Sequence, residues 1–221
     1  MACRYTSSYS SFVKHSKKIV GAGLNYNAIL KTSNVPRPEK PIVFLKPSSS
    51  YIQEGESIVI PSGFEVNEEI ELGVIISKNC KNVTETDAMD YVAGYCVALD
   101  LTATSELSVA RKTGLPWCVG KGFDTACPVS RFISKEELPD PDNVQLWVSV
   151  NDQKRQEGNT NDLIFSIPRL ISFISQYMTL EPNDLILTGT PPGMSPIKDG
   201  DCVRGGIKDL ITISFSVKSQ S

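Results

Sequence analysis

Apolar residues along this chain come mostly in short runs separated by turn-forming residues. The runs are rich in Val and Ile, and Gly, Pro, Asn and Asp bound them, which is the pattern of short β-strands. The strands predicted in this way are Lys18–Ala22, Ile42–Lys46, Ser57–Ile60, Glu69–Ser77, Gly94–Leu101, Val144–Val150, Asp184–Thr188 and Leu210–Val217. Many short strands with few helices predict a mainly β, α+β fold: a rolled or closed β-structure with helices at its periphery.

Helical patterns interrupt the strands at Thr84–Tyr91, Ser105–Gly114 and Ser166–Met178. Each of the three begins with a residue that can cap a helix, and a glycine would end the second one. The third has a proline in its first turn and its apolar side chains on one stripe. We expect this last helix to pack against the core.

The chain length of 221 residues fits one domain, predicted to span residues 17–221. Residues 1–16 are Ser-rich, and no Asp or Glu occurs before Glu39. That composition leaves two interpretations open, a mitochondrial transit segment or a short disordered tail. The expected location is therefore mitochondrial or cytoplasmic.

Composition and charge narrow the possible partners. The net charge is −3 and the sequence pI is about 5.3, so no basic surface for a nucleic acid is expected. No apolar run approaches the ~20 residues that a membrane-spanning helix needs. The six cysteines form no C-x-x-C pair, which favours buried thiols over zinc ligands or disulfides.

A pair of acidic residues stands in the strand pattern Glu69–Ser77. Glu69 and Glu71 alternate with the apolar Ile70 and Leu72, so both carboxylates should share one face, with Cα atoms about 6.6 Å apart. Two carboxylates at that spacing can converge on one cation. Taken alone, however, such a pair is more often simply solvated on the wet face of a sheet.

Asp100 strengthens the case for a metal because it lies in the apolar run Cys96–Leu101. A buried carboxylate is normally paired with a cation or bound to a metal. If Glu69, Glu71 and Asp100 meet, their oxygens suit Mg²⁺, Mn²⁺ or Ca²⁺ better than zinc or copper. Carboxylates that point apart, or that pair with Arg or Lys, would contradict this site.

Lys121 is the candidate for a catalytic or substrate-binding cation. It lies between Gly120 and Gly122, which allow a ligand or backbone to approach closely. A lysine beside a metal can bind a substrate carboxylate or move a proton. The alternative is an ordinary surface lysine in a loop.

At these residues the chain resembles the fumarylacetoacetate hydrolase superfamily, from about Lys17 to Ile207. The matching blocks are PIVFLKPSSSY (Pro41–Tyr51), EIELGVII (Glu69–Ile76), MDYVAGYCVALDLTA (Met89–Ala103), GLPWCVGKGFD (Gly114–Asp124) and ILTGTPPG (Ile186–Gly193). The resemblance implies the rolled β fold of that family, a Mg²⁺ or Mn²⁺ cofactor, a homodimer and small 2-oxo acids as substrates.

The same resemblance assigns roles to individual residues. It places the metal carboxylates on Glu69, Glu71 and Asp100, and the lysine of the site on Lys121. It also places a substrate-binding T-G-T loop on Gly189 and Thr190.

Other positions depart from the family pattern. In the segment Gly23–Thr32, Leu24 replaces a substrate-binding arginine, and Ile29 and Thr32 replace a His–Glu pair that activates water. Thr104 and Leu107 stand where the family often has Arg and Gln. The implied metal ligands are thus intact, whereas the implied base is missing.

These departures leave three functions open. Without the base, tautomerisation or decarboxylation of oxaloacetate through a metal-stabilised enolate is favoured, because it asks for less proton transfer. An acylpyruvate hydrolase that uses a different base is the second. A metal-binding protein without catalytic activity is the third.

Overall fold

The computed structural model describes residues 9–33 and 35–220. Its strands are β1 Ile19–Gly23, β2 Ile42–Lys46, β3 Tyr51–Ile52, β4 Ser57–Ile60, β5 Val66–Asn67, β6 Ile70–Ile76, β7 Val92–Leu99, β8 Thr102–Ala103, β9 Cys127–Pro128, β10 Ile133–Ser134, β11 Gln145–Val150, β12 Gln153–Asn159, β13 Leu185–Leu187, β14 Pro196–Ile197, β15 Cys202–Ile207 and β16 Ile211–Ser219. The α-helices are α1 Phe12–His15, α2 Asn27–Ser33, α3 Thr104–Thr113, α4 Cys118–Lys121 and α5 Ile167–Tyr177. Short 3-10 helices cover Ser48–Ser50, Ala88–Tyr91 and Thr160–Asp162.

Two larger sheets carry the fold. One has six strands in the order β10-β7-β6-β13-β1-β2, and the other has five in the order β12-β11-β15-β16-β4. Strand β6 is buried at all seven positions, because apolar clusters cover both of its faces. The fold is therefore mainly β with few helices, as predicted.

Every strand predicted from the apolar runs is present, with ends that differ by at most two residues. The apolar pattern did not predict β12, whose residues are polar and mostly exposed, or β15, which contains two glycines. It also missed helix α2, which has no acidic residue in its first turn. Of the pattern at Thr84–Tyr91 only a 3-10 turn forms, at Ala88–Tyr91.

The other two predicted helices form. Gly114 follows α3 with φ of 69°, the left-handed conformation that a glycine adopts without steric cost. Ser166 caps α5 by accepting a hydrogen bond from the Arg169 amide. The apolar stripe of α5 packs on the main core, as expected.

Half of the predicted N-terminal tail is described by the structure. Residues 1–8 lie outside the described residues, so the transit-segment interpretation is not tested there. In α1, Phe12 is fully buried and meets the ring of Tyr51 edge-on, so residues around it pack on the domain.

The cysteines and the helices agree only partly with expectation. The five cysteines of the described part are all free; Cys80, Cys96 and Cys127 are buried, but Cys118 and Cys202 are exposed. The expectation of buried thiols is therefore wrong for Cys118, which lies at the exposed start of α4, and for Cys202. No helix in the described ranges is long and apolar enough to cross a membrane.

Candidate metal and substrate site

Strand pairing brings the predicted carboxylates together. The antiparallel register of β6 and β7 sets Ile70 opposite Leu99, and the Asp100 amide then donates to the carbonyl of Glu69 at 2.8 Å. One carboxylate oxygen each from Glu69, Glu71 and Asp100 lies within 4.8 Å of the others. We call these three residues the acidic cradle.

The cradle is buried rather than solvated. Glu71 and Asp100 are each only 1% exposed, and Glu69 is partly covered. The alternative that Glu69 and Glu71 are simply solvated on an exposed face of the sheet is therefore wrong, because β6 has no solvent-facing side. Buried carboxylates that lie this close repel one another unless cations compensate them.

Two buried lysines supply part of that compensation. Lys121 Nζ contacts Asp100 Oδ2 at 2.5 Å and Glu69 Oε2 at 3.1 Å, and Lys46 Nζ lies 2.7 Å from Asp100 Oδ1. Pairing with lysine, which was expected to contradict a metal site, thus occurs at both Asp100 and Glu69. Two lysines, however, cannot neutralise three carboxylates, so the cluster keeps an excess negative charge.

Lys46 is held by backbone carbonyls more than by Asp100. Its amino group donates to the carbonyl oxygens of Leu101, Lys121 and Ala126, which uses its three N–H groups. Asp100 Oδ1 consequently receives no hydrogen bond from any described residue, despite the ion pair. A buried carboxylate oxygen without a hydrogen bond is well suited to a metal.

The pKa values of the cradle carboxylates and of Lys121 reflect the same burial and uneven charge. Burial, together with repulsion from Asp100 and Glu69, raises the pKa of Glu71 well above its usual value, and the pKa of Glu69 is raised mainly by burial. Burial would also raise the pKa of Asp100, but attraction to Lys121 and Lys46 outweighs it and lowers that pKa. Burial opposes the charge on Lys121, yet Asp100 and Glu69 raise its pKa. Asp100 is therefore the compensated carboxylate, and Glu71 is the uncompensated one.

The predicted T-G-T loop lies directly behind the cradle. The Gly189 amide donates to Glu71 Oε2 at 2.6 Å, so this residue holds a cradle carboxylate. Its φ is 105°, and an added Cβ would meet the Asn25 Cβ at 2.8 Å, so only glycine fits. Thr190 lines the neighbouring cavity, while its hydroxyl donates to the carbonyl of Ile70.

A cavity of about 390 Å³ opens onto the cradle. Its lining is Ala22, Gly23, Leu24, Ile29, Val35, Phe44, Asn67, Glu69, Glu71, Asp100, Thr102, Thr104, Leu107, Arg111, Trp117, Lys121, Thr190 and Met194. Lys121 is only 4% exposed and belongs to this wall, so the surface-lysine alternative is wrong. Within this lining, Arg111 and Lys121 are the cations and the acidic cradle supplies the anions.

The departing segment Gly23–Thr32 forms another wall of the cavity. Leu24 adopts φ of 54°, a conformation that costs a non-glycine residue energy, and Ile29 is buried in the wall. Thr32 turns its hydroxyl to the carbonyls of Ala28 and Ile29 in its own helix. No described residue in this wall can therefore take a proton from water near neutral pH. His15 is exposed in α1 and does not line the cavity.

Several residues that support the site were not predicted from the sequence. Gln156 is fully buried in the otherwise exposed β12, accepts from the Ile70 amide and donates to Thr190 Oγ1. Asn25 donates to the Thr188 carbonyl, and Glu68 accepts from the Ser195 amide and hydroxyl. Burial raises the pKa of Glu68 to about 7.

The signals for these residues were faint. Lys46 offered one, since it ends an apolar strand directly before a proline and lies in one of the recognised blocks. Gln156 offered none, because its side-chain hydrogen-bond partners Ile70, Thr190 and Pro191 are all far away in the sequence.

Comparison with known proteins follows this geometry. The model of the fumarylacetoacetate (FAA) hydrolase C-terminal family matches residues 18–218. The human mitochondrial oxaloacetate tautomerase FAHD1 is 44% identical over 210 residues, covering 95% of each chain. The mitochondrial oxaloacetate decarboxylase of Dictyostelium discoideum is 46% identical over 205 residues, covering 92% of this chain and 94% of that one.

Solved structures are similar over nearly the whole chain. Fumarylpyruvate hydrolase from Pseudomonas aeruginosa, crystallised with Mn²⁺ and pyruvate, superposes with a TM-score of 0.87 at 28% identity, over 93% of this chain and 91% of that one. A fumarylacetoacetate hydrolase family protein from Yersinia pestis has the same TM-score, 0.87, at 35% identity, over 91% and 93%. The rolled β fold expected from the recognised blocks is therefore confirmed.

Proposed function

Because this chain belongs to the fumarylacetoacetate hydrolase family, we propose that it is a divalent-metal enzyme that tautomerises or decarboxylates oxaloacetate. The observation that carries this proposal is the contrast within one cavity. The acidic cradle is complete, while the wall that would supply a water-activating base holds Leu24 and Ile29. Relatives of this chain named oxaloacetate tautomerase and oxaloacetate decarboxylase support the choice of substrate.

Glu69, Glu71 and Asp100 are the proposed metal ligands. The donor set is all oxygen, which suits a hard ion, and Mg²⁺ or Mn²⁺ is the proposed cofactor. Burial raises the pKa of Glu71, and repulsion from Asp100 and Glu69 adds to it; this repulsion supports a dication at this place. Such an ion supplies a Lewis acid for the 2-oxo group and its adjacent carboxylate.

Lys121 is the proposed catalytic residue. Its amino group is buried beside Asp100 and Glu69, and their charges keep it protonated. A protonated amine at the cavity wall can deliver a proton to the substrate and take it back. In the enol-to-keto direction, Lys121 would give a proton to C3 and take one back from the enol oxygen. In decarboxylation, the C3–C4 bond breaks, CO₂ leaves, and Lys121 would then protonate C3.

The T-G-T loop has a supporting role in this proposal. Gly189 holds Glu71 through its amide, and Thr190 lies in the cavity wall beside the substrate. Both residues were expected to bind substrate. Thr190 remains a candidate for that contact, while the hydrogen bond of Gly189 supports a role in orienting Glu71.

Acylpyruvate cleavage is the second candidate. The similarity to a fumarylpyruvate hydrolase that binds Mn²⁺ and pyruvate favours it. Cleavage of that C–C bond requires an activated water, and general-base help is typically worth about 10²–10⁴-fold. The wall formed by Leu24 and Ile29 offers no such base, so we place this activity second.

A turnover assay separates the candidates. The purified protein is assayed with oxaloacetate and with acetylpyruvate, each with Mg²⁺, with Mn²⁺ and with EDTA. Enol–keto exchange is followed by ultraviolet absorbance, and release of pyruvate by a coupled assay. We expect metal-dependent processing of oxaloacetate and slow cleavage of acetylpyruvate. Equal rates on both substrates would contradict the assignment, and binding without turnover would favour a catalytically inactive protein.

Three further assignments belong to the same proposal. We propose a homodimer, because the family resemblance implies one and the hydrophobic side chains Leu45, Leu115 and Val119 are exposed. We propose a mitochondrial location, since several curated relatives are mitochondrial. We propose a single catalytic domain from residue 17, preceded by an N-terminal segment at residues 1–16.

A further inference from the structure

We propose that Arg111 binds the second carboxylate of a dicarboxylic 2-oxo acid, and so makes the cavity selective for dicarboxylates over monocarboxylates. This inference rests on the proposed function, because it names what distinguishes the substrate from other 2-oxo acids. It starts from a simple need. Oxaloacetate carries one carboxylate beside its 2-oxo group and another at its far end, and both must be compensated inside the cavity.

Lys121 has no hydrogen bond left for that far carboxylate. A lysine amino group has three N–H donors. In this protein the three contacts go to Asp100 Oδ2 at 2.5 Å, Glu69 Oε2 at 3.1 Å and Thr102 Oγ1 at 2.6 Å. A substrate carboxylate could bind Lys121 only by breaking one of them.

Arg111 is the other cation in the cavity lining, and its donors are free. Within residues 9–33 and 35–220, its guanidinium makes no salt bridge and no hydrogen bond to any side chain or carbonyl. Its contact is with the face of Trp117, at 4.9 Å from the ring, and both residues line the cavity. A guanidinium held over an aromatic face by a cation–π contact still has N–H groups available for a carboxylate.

Helix geometry directs Arg111 along the cavity. Thr104, Leu107 and Arg111 are spaced three and four residues apart on α3, and all of them line the cavity. At 1.5 Å per residue, the Arg111 Cα lies about 10 Å along the helix from that of Thr104. Helical side chains lean toward the helix N-terminus, so the arginine leans back toward the cradle.

A count of formal charges also assigns one substrate carboxylate to the metal site and the other to Arg111. The cradle and its two lysines together are left with one excess negative charge, and a bound dication would turn this into one excess positive charge. That charge can balance the carboxylate next to the 2-oxo group. The second carboxylate needs another cation, and Arg111 is the one in the cavity wall that lacks an anionic partner.

The test compares two ligands that differ only at the far end. 2-Oxobutyrate has the same four carbons as oxaloacetate, with a methyl group in place of the second carboxylate. In Arg111→Gln, we expect KM for oxaloacetate to rise at least about tenfold, roughly 1.4 kcal/mol. The inhibition constant of 2-oxobutyrate should change by less than about twofold. Lys112→Gln is the matched control, since it removes an exposed positive charge from the next position of the same helix without touching the cavity.

Several results would overturn the inference. One is an unchanged KM for oxaloacetate in Arg111→Gln; another is an equal loss of affinity for both ligands, which would indicate a damaged site. A loss as large in Lys112→Gln would indicate general attraction of anions. Thermal unfolding of each variant shows whether it folds, and Arg111→Lys provides a second variant that keeps the charge.

Failure of the proposed function is recognised separately. Titration calorimetry measures binding of both ligands to the Mg²⁺-loaded wild-type protein without requiring turnover. If oxaloacetate binds more tightly than 2-oxobutyrate and Arg111→Gln removes the difference, the inference holds even where no turnover is found. If the wild-type protein binds both ligands equally, the inference is wrong, whatever the enzyme catalyses.

Discussion

The acidic cradle and the segment Gly23–Thr32 face the same cavity but are built in opposite ways. In the cradle, Glu71 and Asp100 are buried and tied to neighbouring backbone and side chains. In the segment, Leu24 and Ile29 present only hydrocarbon to the cavity. The contrast teaches that holding a chelated 2-oxo acid and activating water against it are separable tasks. Under the proposed function, this chain keeps the residues for the first task and has no base for the second in this segment.

The largest effect should come from breaking the cradle. Glu71→Gln removes a proposed metal ligand but keeps an oxygen for the Gly189 amide. We expect oxaloacetate turnover to fall more than about 100-fold, beyond the 10–100-fold typical of residues that only orient a ligand. The increase in Tm caused by millimolar Mg²⁺ should disappear.

Metal-free stability sharpens this result. Because burial and repulsion raise the pKa of Glu71, the neutral amide should make the metal-free protein at least as stable as the wild type. Glu157→Gln, at an exposed site paired with Lys154, is the control and should change neither activity nor the response to Mg²⁺. A variant that keeps its Mg²⁺ response would show that the metal binds elsewhere.

The second effect comes from supplying the segment with a base. Ile29→His with Thr32→Glu places a titratable pair on α2, where position 29 lines the cavity and position 32 lies one turn along the helix. We expect acetylpyruvate cleavage to rise at least about tenfold, short of the full 10²–10⁴-fold that a positioned base contributes. Oxaloacetate turnover should change little. Ile29→Leu with Thr32→Gln is the control, and an equal gain there would remove the base from the explanation.

A third, smaller effect concerns the residue between the two regions. Lys121→Met keeps the aliphatic stem and removes the charge that contacts Asp100 and Glu69. We expect kcat/KM for oxaloacetate to fall about tenfold, roughly 1.4 kcal/mol, mainly through kcat. Lys112→Met on exposed α3 serves as the comparison. Wild-type kinetics in Lys121→Met would mean that this lysine serves stability alone.

The smallest effect is a dependence on pH. The folded pKa values of Glu69 and Glu71 are raised, so in the metal-free protein their contribution is present below about pH 4.5 and is lost as pH rises through the folded values. Asp100, whose folded pKa is lowered, acts in the opposite direction and loses its contribution only in acid. Metal binding requires the ionised carboxylates, so the gain in Tm from Mg²⁺ should grow as the pH rises above about 4.5. A gain that is constant over this range would contradict the proposed ligands.

The cradle could be predicted from the sequence because its signals are local. A two-residue period places Glu69 and Glu71 together, and a carboxylate in an apolar run marks Asp100 as exceptional. The compensation of that carboxylate could not be predicted. Lys46 and Lys121 reach it from 54 and 21 positions away along the numbering, and only the folded chain reveals such distances.

The elements and residues that support the site could not be predicted from the sequence for related reasons. Strand β12 reads as a polar loop, since its burial is confined to Gln156, and the value of that residue lies in contacts with Ile70 and Thr190. Helix α2 lacks the usual signals for a helix start. Arg111 looks like any exposed helical arginine until the shape of the cavity is known.

The position of β13 has a consequence for how the protein is made. Residues 185–187 pair antiparallel with β6 and parallel with β1. The central part of the six-stranded sheet is therefore completed only by the last fifth of the chain. Gly189, which holds Glu71, follows directly. During synthesis, all three proposed metal ligands therefore emerge before the strand that holds them in place. If these residues are the metal ligands, a chain truncated before residue 185 should not hold the metal, because β13 and Gly189 are then missing.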